Sequence, residues 1–141
     1  MLWAASAMGC PWGAIYYDLP GGGQNQYETL EEAVKRECLE ETGYAVTVDR
    51  LAAVYEEISI NNRIRSEFED YAHKVHFVFI CCLAHAPTGP TTEKDRDMLE
   101  SEWVEIKNIH NIFLCPPRIH AELHAILQSE HTVYLGAERA P

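Results

Sequence analysis

The sequence predicts an α/β fold, a sandwich built on a mixed sheet, in one domain over residues 1–141. Three observations carry that expectation. Several β-rich runs alternate with two well-separated helical stretches, and no repeat, low-complexity tract or linker interrupts the 141 residues. Hydrophobic residues make up 47% of the chain, enough apolar material for a core and too much for disorder.

Taken in order, residues 14–18 form a short apolar run with two tyrosines and read as a strand. The run stops at Leu19-Pro20-Gly21-Gly22-Gly23, which proline and three glycines force into a turn or loop. Residues 28–42 read as a helix, with Gly43 just past its end as a C-cap. Thr29 and Glu32 have the spacing of a capping box, although Glu28 could equally begin the helix. Residues 45–49 and 51–60 are β-rich and form one long or broken strand. The polar stretch 61–72 reads as a hairpin loop. Residues 73–84 hold Val75, Phe77, Val78, Phe79, Ile80, Cys81, Cys82 and Leu83, which suits a central strand buried on both faces. Residues 86–100 carry Pro87, Gly89 and Pro90 and read as loop. Residues 101–106 alternate as a strand. Ile119, Leu123, Ile126 and Leu127 give 118–128 helical spacing, and 133–135 adds a last short strand.

Charge narrows the functional classes. Eleven basic residues against 22 acidic ones give a net charge of −11, so no surplus of Lys and Arg is available to replace the counterions of a nucleic-acid duplex. A small phosphorylated substrate is still admissible if divalent ions stand between it and the carboxylates. No apolar run approaches the length needed to cross a bilayer, and the first cationic side chain is Lys35, which argues against a secretory signal. Five cysteines with no CxxC pair (Cys10, Cys38, Cys81, Cys82, Cys115) suit reduced thiols in a cytoplasmic protein better than a disulfide framework.

The chemistry concentrates between Gly21 and Tyr44. At about 100° per residue, Glu37, Glu40 and Glu41 project within an arc of about 100° on one helix stripe. Followed back toward the helix start, the same stripe carries Leu30, Ala33 and Val34, while Glu31, Glu32 and Lys35 occupy the opposite, solvated side. Like charges on one stripe are destabilising, and partial burial raises that cost. A cation that neutralises them removes the penalty. Carboxylate oxygens without Cys or His select Mg²⁺ or Mn²⁺ over zinc. Base rates alone would make this an ordinary Glu-rich surface helix.

The residues around the stripe decide otherwise. They read Gly22-x5-Glu28-x7-Arg36-Glu37-Cys38-x-Glu40-Glu41-x-Gly43-Tyr44, which resembles the signature of the Nudix hydrolases, the MutT-like family. Seven fixed letters at these intervals match by chance about once in 10⁸ start positions. Cys38 and Tyr44 stand where the family usually has Ile, Leu or Val, and Gln24-Asn25-Gln26-Tyr27 replaces an acidic Pro-Gly turn. Only 21 residues precede Gly22 and the first thirteen do not alternate, so the family's N-terminal strand is expected to be missing or replaced.

The resemblance implies a Nudix-type α/β/α sandwich and hydrolysis of a diphosphate bond in a nucleoside diphosphate linked to another group, with divalent metal. Carried over by position, Glu37, Glu40 and Glu41 are the metal ligands, with the Gly21 carbonyl as a further one. Glu37, Arg36 and Glu40 form the catalytic set, in which Arg36 holds a carboxylate in place and Glu37 is the leading general base. Glu93, Glu100 and Glu102 are the alternatives for the base or for another ligand. Glu28 is structural or a water-mediated ligand. The expected partner is a small nucleotide or diphosphate, with no duplex and no membrane; a homodimer stays open.

Other candidates carry less. Arg63 and Arg65 could neutralise a distal phosphate, but charged loop residues are more often simply solvated. Tyr16, Tyr17, Tyr55 and Phe77 could stack a base, with core packing the commoner role. His120 and His124 have zinc spacing at i,i+4 but no evident third ligand, and strand-end positions explain His73 and His76. Subfamily markers are absent: Ser59 and Ile60 replace the proline of ADP-ribose enzymes, and Asn61 and Asn62 the tyrosine of diadenosine-polyphosphate hydrolases. The competing reading is a catalytically weak or inactive nucleotide-binding module. An isoprenoid-diphosphate isomerase finds no support outside the box.

Overall fold

The computed structural model describes residues 2–9, 15–87 and 98–140, with side chains over 16–84 and 101–140. The chain divides into two compact units. The first comprises Met1–Asp49 and Cys81–Ala121, the second Arg50–Ile80 and Glu122–Pro141.

The first unit is built on a four-stranded mixed sheet. Its strands are β1 (Leu2–Gly9), β2 (Ile15–Asp18), β5 (Met98–Glu105) and β6 (Leu114–Cys115), in the order β5-β1-β2-β6. β1 runs antiparallel to β5, with Leu2 opposite Glu105, and antiparallel to β2, with Ser6 opposite Asp18. β6 joins β2 in parallel, pairing Tyr17 with Leu114. The expectation of a missing N-terminal strand is therefore corrected. Leu2–Gly9 is an interior strand, paired with β2 on one edge and β5 on the other, and those distant partners rather than alternation within the segment make it a strand. Apolar side chains from separate segments of this unit, Ala33, Val104, Ile109, Leu114 and Ile119, are buried.

Helix α1 (Leu30–Thr42) belongs to this unit, and its ends are fixed by local chemistry. Thr29 Oγ1 accepts from the Glu32 amide at 3.2 Å, while Glu32 Oε2 accepts from the Thr29 amide at 2.8 Å. This reciprocal capping box satisfies two of the amides that a helix start leaves unpaired. At the other end Gly43 takes a left-handed conformation (φ 73°) and donates to the Leu39 carbonyl at 2.9 Å. A side chain with a Cβ would be strained there.

A three-stranded sheet in the order β4-β3-β7 is drawn from β3 (Tyr44–Ser59), β4 (His73–Pro87) and β7 (Val133–Ala140), and the second unit holds β7, residues 50–59 of β3 and residues 73–80 of β4. β3 and β7 are parallel, from Ala53 opposite Val133 to Ser59 opposite Ala140. Ala52, Ala53, Tyr55, Val78, Leu123, Ile126 and Leu135 are among the second unit's buried apolar side chains. The Arg50 guanidinium donates to the carbonyls of Ile126 and Ser129, so it caps the C-terminal end of helix α3 (Pro117–Gln128) with a positive charge.

Two further expectations change. Residues 61–72 are not a plain hairpin loop: Asn61 caps a short helix, α2 (Asn62–Glu67), by accepting from the amides of Arg63 and Ile64, and a 3₁₀ turn follows at Glu69–Tyr71. A polar stretch with a good N-cap can form a turn of helix without an apolar stripe. β4 is not a doubly buried central strand. Among the described residues it ends its sheet, and Val75 and Phe77 are 47% and 41% exposed while Val78, next to Phe77, is buried. An apolar run specifies a strand but not its place in the sheet. The loop expected over 86–100 is entered by strand at both ends, β4 reaching Pro87 and β5 starting at Met98, with 88–97 outside the described residues. A 3₁₀ segment (Ile106–Asn111) and the two-residue β6 carry no sequence signal strong enough to anticipate.

Candidate functional site

The glycine loop leaving β2 brings its backbone against the middle of α1, where Arg36 collects the chain around it. Nε donates to Glu28 Oε1 at 2.8 Å and Nη2 to Glu28 Oε2 at 3.0 Å, a bidentate grip. Nη2 also donates to the Gly23 carbonyl at 3.0 Å. Nη1 donates to Glu37 Oε1 at 2.7 Å and to Glu40 Oε2 at 3.0 Å. A guanidinium has five N–H donors, and all five are committed. These bonds raise the Arg36 pKa still further, the Glu28 carboxylate contributing most and Glu37 next. The same grip, assisted by the Asn25 amide, holds the Glu28 carboxyl down to about 2.

The carboxylates are poorly supplied with counter-charge. The Glu28 and Glu37 side chains are each only 14% exposed, and Glu41 is 8% exposed. Three carboxylates, those of Glu28, Glu37 and Glu40, meet one guanidinium, so two negative charges are left over in this cluster when all are ionised. Glu37 and Glu40 converge on a single nitrogen. Among the described residues no three Asp, Glu, His or Cys side chains stand close enough as arranged to hold an ion. The donor set nevertheless fits a hard divalent cation in kind: carboxylate and carbonyl oxygens, with no imidazole or available thiolate beside them. Cys38, on the same helix, has its thiol pushed up to about 12 by burial, with Cys81 and Glu41 nearby adding to the effect.

Glycine is required at one loop position for a reason the sequence does not display. A Cβ at Gly22 would lie 2.4 Å from Glu37 Oε1, whereas at Gly21 and Gly23 it would meet nothing within 4 Å. Gly22 thus lets the Glu37 carboxylate lie against the loop backbone. Gly21, whose carbonyl is the expected extra ligand, sits one residue earlier in the exposed part of the loop.

β5 meets the C-terminal end of α1. Ser101 Oγ donates to the Glu41 carbonyl at 3.1 Å, and Tyr44 packs edge-to-face on Trp103 with centroids 5.2 Å apart. Thr42, Tyr44, Ser101, Glu102 and Trp103 line a cavity of about 60 Å³. Glu102 accepts the Tyr17 hydroxyl hydrogen, and that bond raises the tyrosine's pKa. Of the alternative carboxylates, Glu102 is therefore beside the end of the helix. Glu93 and the Glu100 side chain lie outside the described residues.

Other candidates have other employment. Arg63 pairs with Glu67 on α2 at 2.9 Å, 76% exposed, and Arg65 is exposed on the same helix, both in the second unit. His120 Nε2 lies 3.0 Å from the Ile109 carbonyl, so that nitrogen is engaged with the backbone. Tyr55 is buried, stacked on His76, and donates to Glu138. His73 contacts Glu56 at 3.1 Å. The sequence did not reveal the parts played by Tyr17, Ser101 and the Gly23 carbonyl. No local signal would have found them, because each is defined by its partner.

The sequence profile of the NUDIX domain matches residues 2–124. The chain belongs to the Nudix family. As a Nudix hydrolase it is an enzyme acting on phosphorus-containing anhydrides. Solved structures share the Nudix fold at low identity. A NUDIX hydrolase from Nitrosomonas europaea superposes with a TM-score of 0.63 at 20% identity, over 86% of this chain and 79% of that one. An ADP-ribose pyrophosphatase from Streptococcus suis gives 0.58 at 20% identity, over 93% and 87%. A UDP-X diphosphatase gives 0.62 at 22% identity, over 96% of this chain but 60% of its own length. A search of curated proteins finds no match to the Nudix chain.

Proposed function

We propose that this Nudix enzyme hydrolyses a diphosphate bond in a nucleoside diphosphate linked to a second group. The supporting observation is the Arg36 cluster, in which one guanidinium gathers Glu28, Glu37 and Glu40 and leaves an excess of negative charge beside a glycine loop. Structural neighbours named for ADP-ribose and UDP-linked diphosphates point to the same substrate class. The family match takes in residues of both compact units, so we treat residues 1–141 as one working domain. Among the described residues Cys38, Cys81 and Cys82 are not tied up in disulfides, which suits a cytoplasmic enzyme.

Glu37, Glu40 and Glu41, with the Gly21 carbonyl, would hold a divalent cation, Mg²⁺ or Mn²⁺. When bound, such an ion offsets charge on the phosphoryl oxygens and lowers the pKa of a coordinated water. Arg36 positions Glu37 and Glu40 through Nη1 and ties them to the loop through Gly23. Glu37 accepts the proton from the attacking water, since its carboxylate is fixed on both sides, by Arg36 and by the Gly22 backbone.

The test is release of nucleotide and phosphate products from a panel of nucleoside diphosphate conjugates with Mg²⁺ or Mn²⁺. The wild type should turn over at least one member, and Glu40→Gln and Glu41→Gln should abolish the metal-stimulated rate with the fold intact. A wild-type protein that binds one conjugate tightly and releases nothing would establish the binding-module reading instead.

A further inference from the structure

Glu41 stands in the last turn of α1, where a helix runs out of amides for its carbonyls and frays most readily. Its side chain is nonetheless buried. A carboxylate at such a position keeps one direction only if the turn that carries it is held. Part of the hold is internal. Gly43 N–H donates to the Leu39 carbonyl at 2.9 Å, and Thr42 Oγ1 donates to the Cys38 carbonyl.

A further contact reaches the turn from another element of the same unit. Ser101 Oγ on β5 donates to the Glu41 carbonyl at 3.1 Å. That carbonyl is one of those a helix end leaves without an amide of its own. Two residues along β5, Trp103 meets Tyr44 edge-to-face at 5.2 Å. Side chains two apart on a strand share a face, so β5 turns Ser101 and Trp103 together onto the end of α1. The strand itself is fixed by its pairing with β1, where Ser101 lies opposite Ser6 and Trp103 opposite Ala4. The ring contact seats the end of the helix on the sheet. The hydroxyl adds direction, because a hydrogen bond is angular and this one ends on the peptide group of Glu41 itself.

We infer that Ser101 is a positioning residue for the divalent-ion site, aiming the Glu41 side chain by fixing the peptide from which it hangs. This rests on the function proposed above, in which Glu41 is a ligand. Outer hydrogen bonds that orient a metal ligand are worth about 10- to 100-fold in ion affinity. One bond to the ligand's backbone places Ser101 at the lower end of that range.

The experiment measures Mn²⁺ binding, through the paramagnetic resonance signal of the free ion, beside thermal melting. The proteins are full-length wild type, Ser101→Ala, Ser101→Cys, Ser101→Thr and Thr29→Ala. Ser101→Ala should bind Mn²⁺ about tenfold more weakly than wild type. Ser101→Cys, close in size but a weak donor, should share the loss, and it carries the comparison alone if the alanine variant does not fold. Ser101→Thr keeps the hydroxyl and should bind as the wild type does. Thr29→Ala weakens the other end of the same helix, so it should melt lower with its Mn²⁺ affinity unchanged. Wild-type affinity in Ser101→Ala and Ser101→Cys, or an equal loss in Ser101→Thr or Thr29→Ala, reduces Ser101 to a structural tether. Either result overturns the inference and leaves the hydrolase reading in place. A wild type that binds no Mn²⁺ overturns both.

Discussion

The carboxylate of Glu37 occupies the space that a Cβ on Gly22 would fill, with Oε1 2.4 Å from the ideal Cβ position. The obstruction is the far end of a flexible side chain, so alanine at this position displaces a functional group rather than a core. Gly22→Ala is expected to leave stability within about 1 kcal/mol of wild type. Hydrolysis should fall about 10²-fold, as for any small misplacement of a reacting group. Urea unfolding beside a rate measurement separates the two effects; a large loss of stability would show that the loop cannot give.

Arg36→Lys keeps the charge and forfeits the geometry. A lysine ammonium has three donors and no planar fork, so it cannot grip Glu28 with two bonds while reaching Gly23, Glu37 and Glu40. The expected outcome is a loss of activity of about 10- to 100-fold with helical content retained by circular dichroism. Activity close to wild type would mean that the orientation of the carboxylates does not depend on this clamp.

Thr29→Ala removes the hydroxyl that caps α1 and leaves the Glu32 amide without its partner. Replacing such a cap costs about 1 kcal/mol. A matching drop in unfolding free energy, with substrate affinity unaltered, is the predicted result.

His76 gives the second unit a dependence on pH. Its Nε2 is buried with no hydrogen-bond partner among the described residues, and the ring stacks on Tyr55. Burial lowers its pKa below the ordinary histidine value, outweighing the opposing pull of Glu57, while Lys74 adds to the lowering. The unfolded chain therefore takes up this proton at a higher pH than the folded one. The resulting stabilisation is present above the unfolded value and is lost as pH falls through the folded one. His76→Gln should lose less stability than wild type between about pH 7.5 and pH 5, the range that brackets an ordinary histidine. Parallel stability curves for the two proteins would sink the prediction.

What was legible in the sequence is what is decided locally. The start of α1 at Thr29, its end at Gly43 and the spacing of Arg36, Glu37, Glu40 and Glu41 all depend on residues a few positions apart. The place of a strand in a sheet does not. Leu2–Gly9 is a strand because β2 and β5 flank it, and β4 is exposed at Val75 and Phe77 because β3 is its neighbour on one side alone among the described residues. The bonds from Tyr17 to Glu102 and from Ser101 to Glu41 join residues 85 and 60 positions apart. Gly22 was visible as a glycine, but the reason for it became visible only with the carboxylate of Glu37 beside it.

Because Nη1 of Arg36 already bridges Glu37 and Glu40, the protein carries an internal stand-in at the spot where two of its acids converge. Folding then does not wait on a mineral supply. Where zinc fingers collapse when a chelator strips them, this helix should endure EDTA with its shape intact. The divalent ion proposed above would then be a visitor to a finished scaffold, and its arrival or departure would alter the chemistry without touching the architecture.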